Sequence, residues 1–100
     1  MLIVREVFIA KPGMASKLAK LFKKGFGENA NVRVMTDMIG NYNTVVMEMQ
    51  VNSLAEFEKQ MEERRSGRSD PKIDPKVAEE MSKYTEMYTK GRREIFKILE

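Results

Sequence analysis

Four charged residues lie in or beside segments rich in strand formers, and they are the side chains of this sequence best suited to acid–base or binding chemistry. They are Arg5, Asp37, Glu48 and Lys97, and we expect all four on the same face of the predicted sheet. Two carboxylates beside a cation can bind a polar ligand or move a proton, with pKa values shifted by burial. The same charges suit salt bridges between subunits, or edge-strand charges that oppose sheet aggregation. Both interpretations stay open at this stage.

The tyrosines form a second candidate set, since their phenolic hydroxyls can line a pocket. They are Tyr42, Tyr84 and Tyr88. Tyr84 and Tyr88 are four residues apart, a spacing typical of an ordinary packing stripe on a helix. Nine methionines are also present, and Met fills irregular cores and interfaces as readily as it lines adaptable pockets.

The residue types that are missing restrict the chemistry further. The 100 residues include no His, no Cys and no Trp. Zinc sites built from Cys or His, haem held by His, and catalytic triads or Cys–His pairs are therefore excluded. We predict no metal site and no cofactor, and any general acid or base must be Asp, Glu, Lys or Tyr.

Composition also bears on location and partners. A chain without cysteine fits a reducing compartment, and we expect a cytoplasmic protein. No apolar run approaches the roughly 20 residues needed to span a bilayer, and the N-terminus lacks the features of a signal peptide, so no membrane partner is predicted. Basic residues near positions 64–68 and 90–93 alternate with acidic ones and lack an aromatic stacking platform. We therefore predict a solvated loop and no nucleic-acid partner.

The first half of the chain predicts a strand, a helix and a hairpin. Residues 2–10 are rich in strand formers and end before Pro12-Gly13, which favours a turn. Residues 14–26 have apolar side chains at helical spacing. Residues 31–39 and 44–51 predict two strands around the Gly-Asn-Tyr-Asn sequence at 40–43, because Gly and Asn tolerate positive φ.

The second half predicts two helices and a last strand. Ser53 and Glu56 form a capping box for a helix that should end near residues 66–67. Residues 64–74 predict a mobile loop. Pro75, after an N-cap at Asp74, then begins a further helix over residues 75–90 that ends at Gly91. Residues 92–99 predict the final strand.

This order predicts one α+β domain spanning residues 1–100. Its class is ferredoxin-like, β-α-β-β-α-(α)-β, with an antiparallel sheet and its helices on one face. The other face also carries apolar side chains, among them Val7, Ile9 and Val46. Either the further helix at 75–90 covers that face, or a second copy of the chain stacks its sheet there. Polar residues interspersed along the strands favour the homodimer.

Four segments, taken in order, resemble the dimeric α/β-barrel superfamily, which includes NIPSNAP-like and antibiotic-biosynthesis monooxygenase-like domains. They are Lys-Pro-Gly at 11–13 before an amphipathic helix, Gly-Asn-Tyr-Asn at 40–43, Ser-Leu-Ala-Glu-Phe at 53–57, and Gly-Arg-Arg-Glu-Ile-Phe at 91–96. The resemblance covers nearly the whole chain. It implies a homodimeric barrel with a cleft between sheet and helices.

The resemblance transfers no activity. Haem-degrading members need a His ligand that this chain lacks, and no family catalytic residue can be matched. We therefore expect a small homodimer that binds a small ligand or serves as a structural or interaction dimer. The alternative is a cofactor-independent monooxygenase or isomerase acting on a small aromatic or quinol-like molecule. Whether the chain is an enzyme stays open.

Overall fold

A computed structural model describes residues 1–26, 31–65 and 75–99. Its elements are β1 (Leu2–Ala10), α1 (Ala15–Phe26), β2 (Val32–Thr36), β3 (Thr44–Val51), α2 (Leu54–Arg65), α3 (Pro75–Met81), a 3-10 turn (Tyr84–Glu86) and β4 (Tyr88–Lys97). The strands form one sheet in the order β2-β3-β1-β4, and all neighbours are antiparallel. The predicted ferredoxin-like α+β fold is confirmed.

The core lies between the sheet and the helices. Val4 and Phe8 of β1 are buried there, and so are the alternate residues of β3 from Val45 to Val51. Leu18 and Phe22 of α1 pack onto them. The period of two along the strands and the helical period of α1 therefore both direct their apolar side chains to this layer, as the sequence predicts.

Phe8 is the centre of an aromatic cluster that fills the layer beneath α1. Its ring centroid lies 5.1 Å from that of Phe22, 4.8 Å from that of Tyr88 and 6.1 Å from that of Tyr84. These separations are in the range of favourable ring–ring packing. The space between the sheet and α1 is thus packed with side chains at this point.

Local hydrogen bonds explain where the elements turn. In the β2–β3 connection Asn43 has a φ of 66°, and Asp37 Oδ1 accepts from the backbone N–H of Thr44 at 3.0 Å. At the start of α2, Ser53 Oγ accepts from the N–H of Glu56 at 3.2 Å. Glu56 Oε2 in turn accepts from the N–H of Asn52 at 2.7 Å, one residue before the predicted Ser53. The predicted capping box is therefore present, except that Glu56 accepts from the N–H of Asn52 instead of that of Ser53.

The predicted helix over residues 75–90 is wrong in extent. The helix ends at Met81, Tyr84 lies in the 3-10 turn, and Tyr88 is already the first residue of β4. Gly91 lies inside that strand rather than ending a helix, opposite Phe8 of β1. Ladder pairing with β1, together with contact between Tyr88 and Phe8, outweighs the helical spacing of the two tyrosines.

Two strand boundaries also differ from the sequence prediction. The strand predicted over 31–39 is Val32–Thr36, because Asp37 already bonds the turn. The last strand, predicted over 92–99, is Tyr88–Lys97. Residues 66–74 of the predicted loop lie outside the described residues.

α3 packs on the helical side of the sheet. A Cβ built on Gly25 of α1 would lie 3.2 Å from Met81 Sδ of α3, so the two helices meet closely at this point. α2 lies on the same side, where Phe57 joins the core. No helix in the described part of the chain covers the opposite face of the sheet.

Candidate functional site

The sheet face turned away from the helices, here called the open face, is built by the strand residues that alternate with the core positions. The register places Ile3 opposite Phe96, and Val7 opposite Val46. Phe96 keeps 48% of its surface exposed. The other apolar residues of the face are Ile9 and Met35. This face therefore carries apolar side chains across all four strands.

A cluster of three charged side chains lies among them, here called the Arg–Glu cluster. Arg5, Glu48 and Arg33 stand side by side on three adjacent strands. Arg5 Nε lies 3.3 Å from Glu48 Oε2, and Arg33 Nη2 bonds Glu48 Oε1. The Glu48 side chain is only 14% exposed. One carboxylate is thus shared by two guanidinium groups.

The ion pair leaves one hydrogen-bond donor of Arg5, its Nε–H, without an acceptor in the described part of the chain. Its Nε is covered from solvent, yet no acceptor among the described residues is aligned with its N–H. Glu48 therefore contributes charge at that atom without a directed hydrogen bond. Two predicted site residues, Arg5 and Glu48, are brought together here.

Lys97 and Asp37 are not part of the Arg–Glu cluster. Lys97 lies opposite Leu2 in the β1–β4 register and so belongs to the helical side of the sheet. The grouping of Lys97 with the other three on one face is therefore wrong, because the observed β4 register puts it on the other side. Asp37 lies at the end of β2, where its carboxylate bonds the hairpin.

Asp37 instead lines a cleft with another predicted residue, Tyr42. The cleft has a volume of about 470 Å³ and lies between the β2–β3 hairpin and the start of α1. Ala15 and Ser16 of α1 form its other wall. Tyr42 is 89% exposed, so its phenol is accessible from the solvent side. A cleft of this size has room for a small molecule, although it is open rather than enclosed.

Tyr84 and Tyr88 belong to the aromatic packing rather than to either site. Their ring centroids are 5.8 Å apart, and both rings contact Phe8. The prediction that these two tyrosines are packing residues therefore agrees with their contacts, although they do not lie on one helix as their spacing indicated. The interior position that a cleft between sheet and helices would occupy is filled by these rings.

Sequence reasoning did not identify three charged residues of the open face. They are Arg33, Arg92 and Glu94. The signal was present in β2, because Arg33 stands between Val32 and Val34 and so must point away from the core. Arg92 and Glu94 lie inside the strand predicted over 92–99, but the adjacent apolar residues Ile95 and Phe96 left open which face of that strand meets the core.

The described residues contain no group of three acidic, His or Cys side chains placed to hold a metal ion. None of the helices in the described ranges is long and apolar enough to cross a bilayer.

Solved structures share this fold. An uncharacterized NIPSNAP domain protein from Burkholderia xenovorans superposes with a TM-score of 0.71 at 16% identity, covering 99% of this chain and 95% of that one. A NIPSNAP family protein from Agrobacterium tumefaciens strain C58 gives a TM-score of 0.75 at 10% identity, covering 98% and 85%.

A third structure extends the likeness to the second group of the resemblance. It is a protein from Deinococcus radiodurans that has been proposed to be an antibiotic biosynthesis monooxygenase. It superposes with a TM-score of 0.62 at 11% identity, covering 100% of this chain and 94% of that one. No family model and no curated protein matches the chain. The resemblance to NIPSNAP-like and antibiotic-biosynthesis monooxygenase-like domains is confirmed at the level of the fold, which is what identities this low can show.

Proposed function

We propose that this chain works as a homodimer that stacks the open faces of two sheets into a barrel and binds a small ligand in the cleft beside Tyr42. The observation that carries the proposal is the uncovered open face. The helices described here all pack on the other side, and α3, the internal alternative to a partner, packs against α1. An apolar sheet face left in water would lower stability and promote aggregation.

The size of the face supports a second copy as its partner. Four strands spaced about 4.8 Å apart, with β1 and β4 rising about 3.3 Å per residue, give a face of roughly 19 by 28 Å. That is about 500 Å² in projection, and side-chain relief makes the accessible area larger. A biological interface should bury at least about 1,000 Å² in total, or about 500 Å² on each partner, so the face is large enough for a dimer.

The chemistry of the face also supports self-association. A two-fold interface places the same patch on both subunits, so a patch that carries both charge signs can pair with itself. Arg5 and Glu48 supply both signs beside the apolar residues, and Arg92 and Glu94 supply them again on β4. Mixed apolar and paired polar groups are typical of an interface core that must also fix the register.

The hairpin cleft supports the ligand-binding part of the proposal. Its volume of about 470 Å³ falls in the range of small-molecule sites. Asp37 and Tyr42 line it together with the apolar side chain of Ile39, so polar and apolar contacts are both available. A reducing, cytoplasmic location is part of the same proposal, because a chain without cysteine does not use the disulfides typical of oxidising compartments.

Multi-angle light scattering on the purified chain tests the dimer. One copy has a mass of 11.6 kDa, and the proposal expects twice that mass at about 10 μM protein. The ligand site is tested by NMR titration of the ¹⁵N-labelled chain with a panel of quinols and polyphenols. Shifts confined to the hairpin and the start of α1 are expected, and shifts spread along the open face, or none, would contradict the assignment of the cleft.

The second candidate function is cofactor-independent oxygenation of a small aromatic molecule. The observation that favours it is that a phenol and a carboxylate, those of Tyr42 and Asp37, line the same cleft. Oxygen uptake on adding reduced quinols is the test. Uptake that is lost in Tyr42→Phe and Asp37→Asn would establish it, while binding without uptake leaves the ligand-binding function.

A further inference from the structure

The open face carries more positive than negative charge. Over the four strands, which the structure describes in full, its cations are Arg5, Arg33, Lys90 and Arg92, and its anions are Glu48 and Glu94. Arg92 has its own partner, with its Nε 3.4 Å from Glu94 Oε1. Lys90 lies near the start of β4 and has a long side chain that can keep its amine in water.

The excess positive charge nearest the centre of the open face is in the Arg–Glu cluster. Arg5 and Arg33 share Glu48, while Glu94, which stands opposite Arg5 on β4, pairs with Arg92. The three arginines and two carboxylates therefore keep one net positive charge. Arg5 is on the central strand β1, and no acceptor in the described residues is aligned with its Nε–H. A guanidinium stays protonated at any pH the fold survives, so the charge cannot be removed by proton loss.

Stacking two open faces, as proposed above, brings two such clusters into one interface. Water is then partly excluded, and charges of the same sign repel more strongly than they do at a wet surface. Beyond Glu48 and Glu94, the four strands place no further carboxylate on the open face to neutralise them. A small anion bound between the two subunits would neutralise them.

We propose that the dimer interface holds a small oxyanion at the Arg–Glu cluster, so that oxyanion binding and dimer formation are coupled. The inference rests on the proposed homodimer. Its ligand is a phosphate, sulfate or carboxylate group, because a guanidinium donates two parallel N–H bonds to such oxygens and holds chloride only as a point charge. An anion that binds the dimer and not the monomer lowers the dimer dissociation constant by mass action.

Sedimentation equilibrium in buffers of equal ionic strength tests the coupling. The chain is compared in sodium chloride, sodium phosphate, sodium sulfate and sodium acetate at anion concentrations below those that strengthen apolar burial in general. The expected result is a dimer dissociation constant lowered about tenfold in phosphate relative to chloride, once phosphate reaches roughly ten times its own dissociation constant. A response to acetate as well assigns a carboxylate-accepting site, and a response to phosphate and sulfate alone assigns a tetrahedral one.

Two variants separate site binding from general salt effects. Arg33→Gln removes the excess charge, so its dimer should be as tight in chloride as the unmodified dimer in phosphate, with no anion response. Lys23→Gln removes the same charge from the exposed side of α1, away from the sheet, and should keep the full response. Phosphate and sulfate also strengthen apolar burial generally, and that effect would survive in Arg33→Gln.

The outcomes distinguish the inference from the function on which it rests. A dimer that is equally tight in every buffer, or an Arg33→Gln dimer that keeps the anion response, overturns the oxyanion site and leaves the homodimer standing. A monomer in all four buffers overturns the homodimer, and the oxyanion site with it.

Discussion

Gly91 of β4 lies directly opposite Phe8 of β1, and the ring of Phe8 occupies the space beside its Cα. A Cβ at Gly91 would lie 3.4 Å from Phe8 Cδ1 and 3.3 Å from Tyr88 Cε2. The distance to Tyr88 is slightly shorter than ordinary van der Waals contact, and the distance to Phe8 is at its lower limit. Glycine at this position therefore allows the aromatic cluster to pack against the backbone of β4.

Gly91→Val should destabilise the fold, because two packed rings must move to admit the side chain. We expect the free energy of unfolding to fall by about 1–3 kcal/mol, measured by urea denaturation at a fixed protein concentration. Gly40→Ala is the control. A Cβ there meets only the Asp37 side chain, with Cβ at 3.5 Å and Oδ2 at 3.7 Å, so the stability of this variant should be nearly unchanged. Equal losses in the two variants would contradict the role of the close approach.

A second pair stabilises the other end of the core. Arg93 Nε bonds Glu6 Oε1, and the guanidinium lies over the ring of Phe57 with its Cζ 5.2 Å from the centroid. The Glu6 side chain is 13% exposed, so solvent screens this pair only partly. A double-mutant cycle with Glu6→Gln and Arg93→Gln should give a coupling of about 1 kcal/mol.

The Arg92–Glu94 pair provides the matched comparison for that cycle. Its side chains are 68% and 32% exposed, and the closest N–O distance is 3.4 Å. Exposed pairs of this kind contribute little. Made in the monomeric Phe96→Asp background, where the open face stays in water, the same cycle in Arg92 and Glu94 should give no more than about 0.3 kcal/mol. A larger coupling for the exposed pair than for Glu6–Arg93 would contradict this account of the two sites.

The cap at the start of α2 gives a local prediction. Ser53→Ala removes the oxygen that accepts from the N–H of Glu56, and we expect a loss of about 1 kcal/mol in thermal or urea unfolding. Ser53→Asp should retain most of the stability, since a carboxylate accepts the same bond and suits the positive end of the helix dipole. Equal loss in both variants would mean that the hydroxyl acts through some other contact.

The dimer prediction uses two neighbouring residues of β4 that point to opposite sides of the sheet. Phe96 belongs to the open face and is 48% exposed, while Ile95 lies on the helical side and is 40% exposed. Phe96→Asp places a charge in the proposed interface and should yield a folded monomer. Ile95→Asp should lower stability yet leave the folded fraction dimeric, as measured by light scattering beside circular dichroism.

Most of the fold was predictable because its strands and helices have strong, separate periodicities. The alternation along β3 and the apolar stripe of α1 fixed which faces meet, and Asp37 and Asn43 supplied recognisable turn chemistry. The segment from Tyr84 to Gly91 was not predictable in this way. Its two tyrosines fit a helix locally, and only pairing with β1 and contact with Phe8 make it a strand.

The candidate sites were predictable in part for a related reason. Arg5 and Glu48 were identified because each interrupts an apolar strand. Their common partner Arg33 was missed, although its position between two valines indicated an outward direction. Lys97 was assigned to the wrong face because the end of β4 carries apolar residues on both faces, Ile95 and Phe96, so alternation alone did not show which face meets the helices.

Sedimentation velocity on the unmodified chain and on Phe96→Asp tests the central claim most directly. The account predicts a dimer of twice 11.6 kDa for the unmodified chain at about 10 μM and a folded monomer for Phe96→Asp. A monomeric unmodified chain, or a Phe96→Asp variant that stays fully dimeric, would contradict the claim that the open face is where two copies meet.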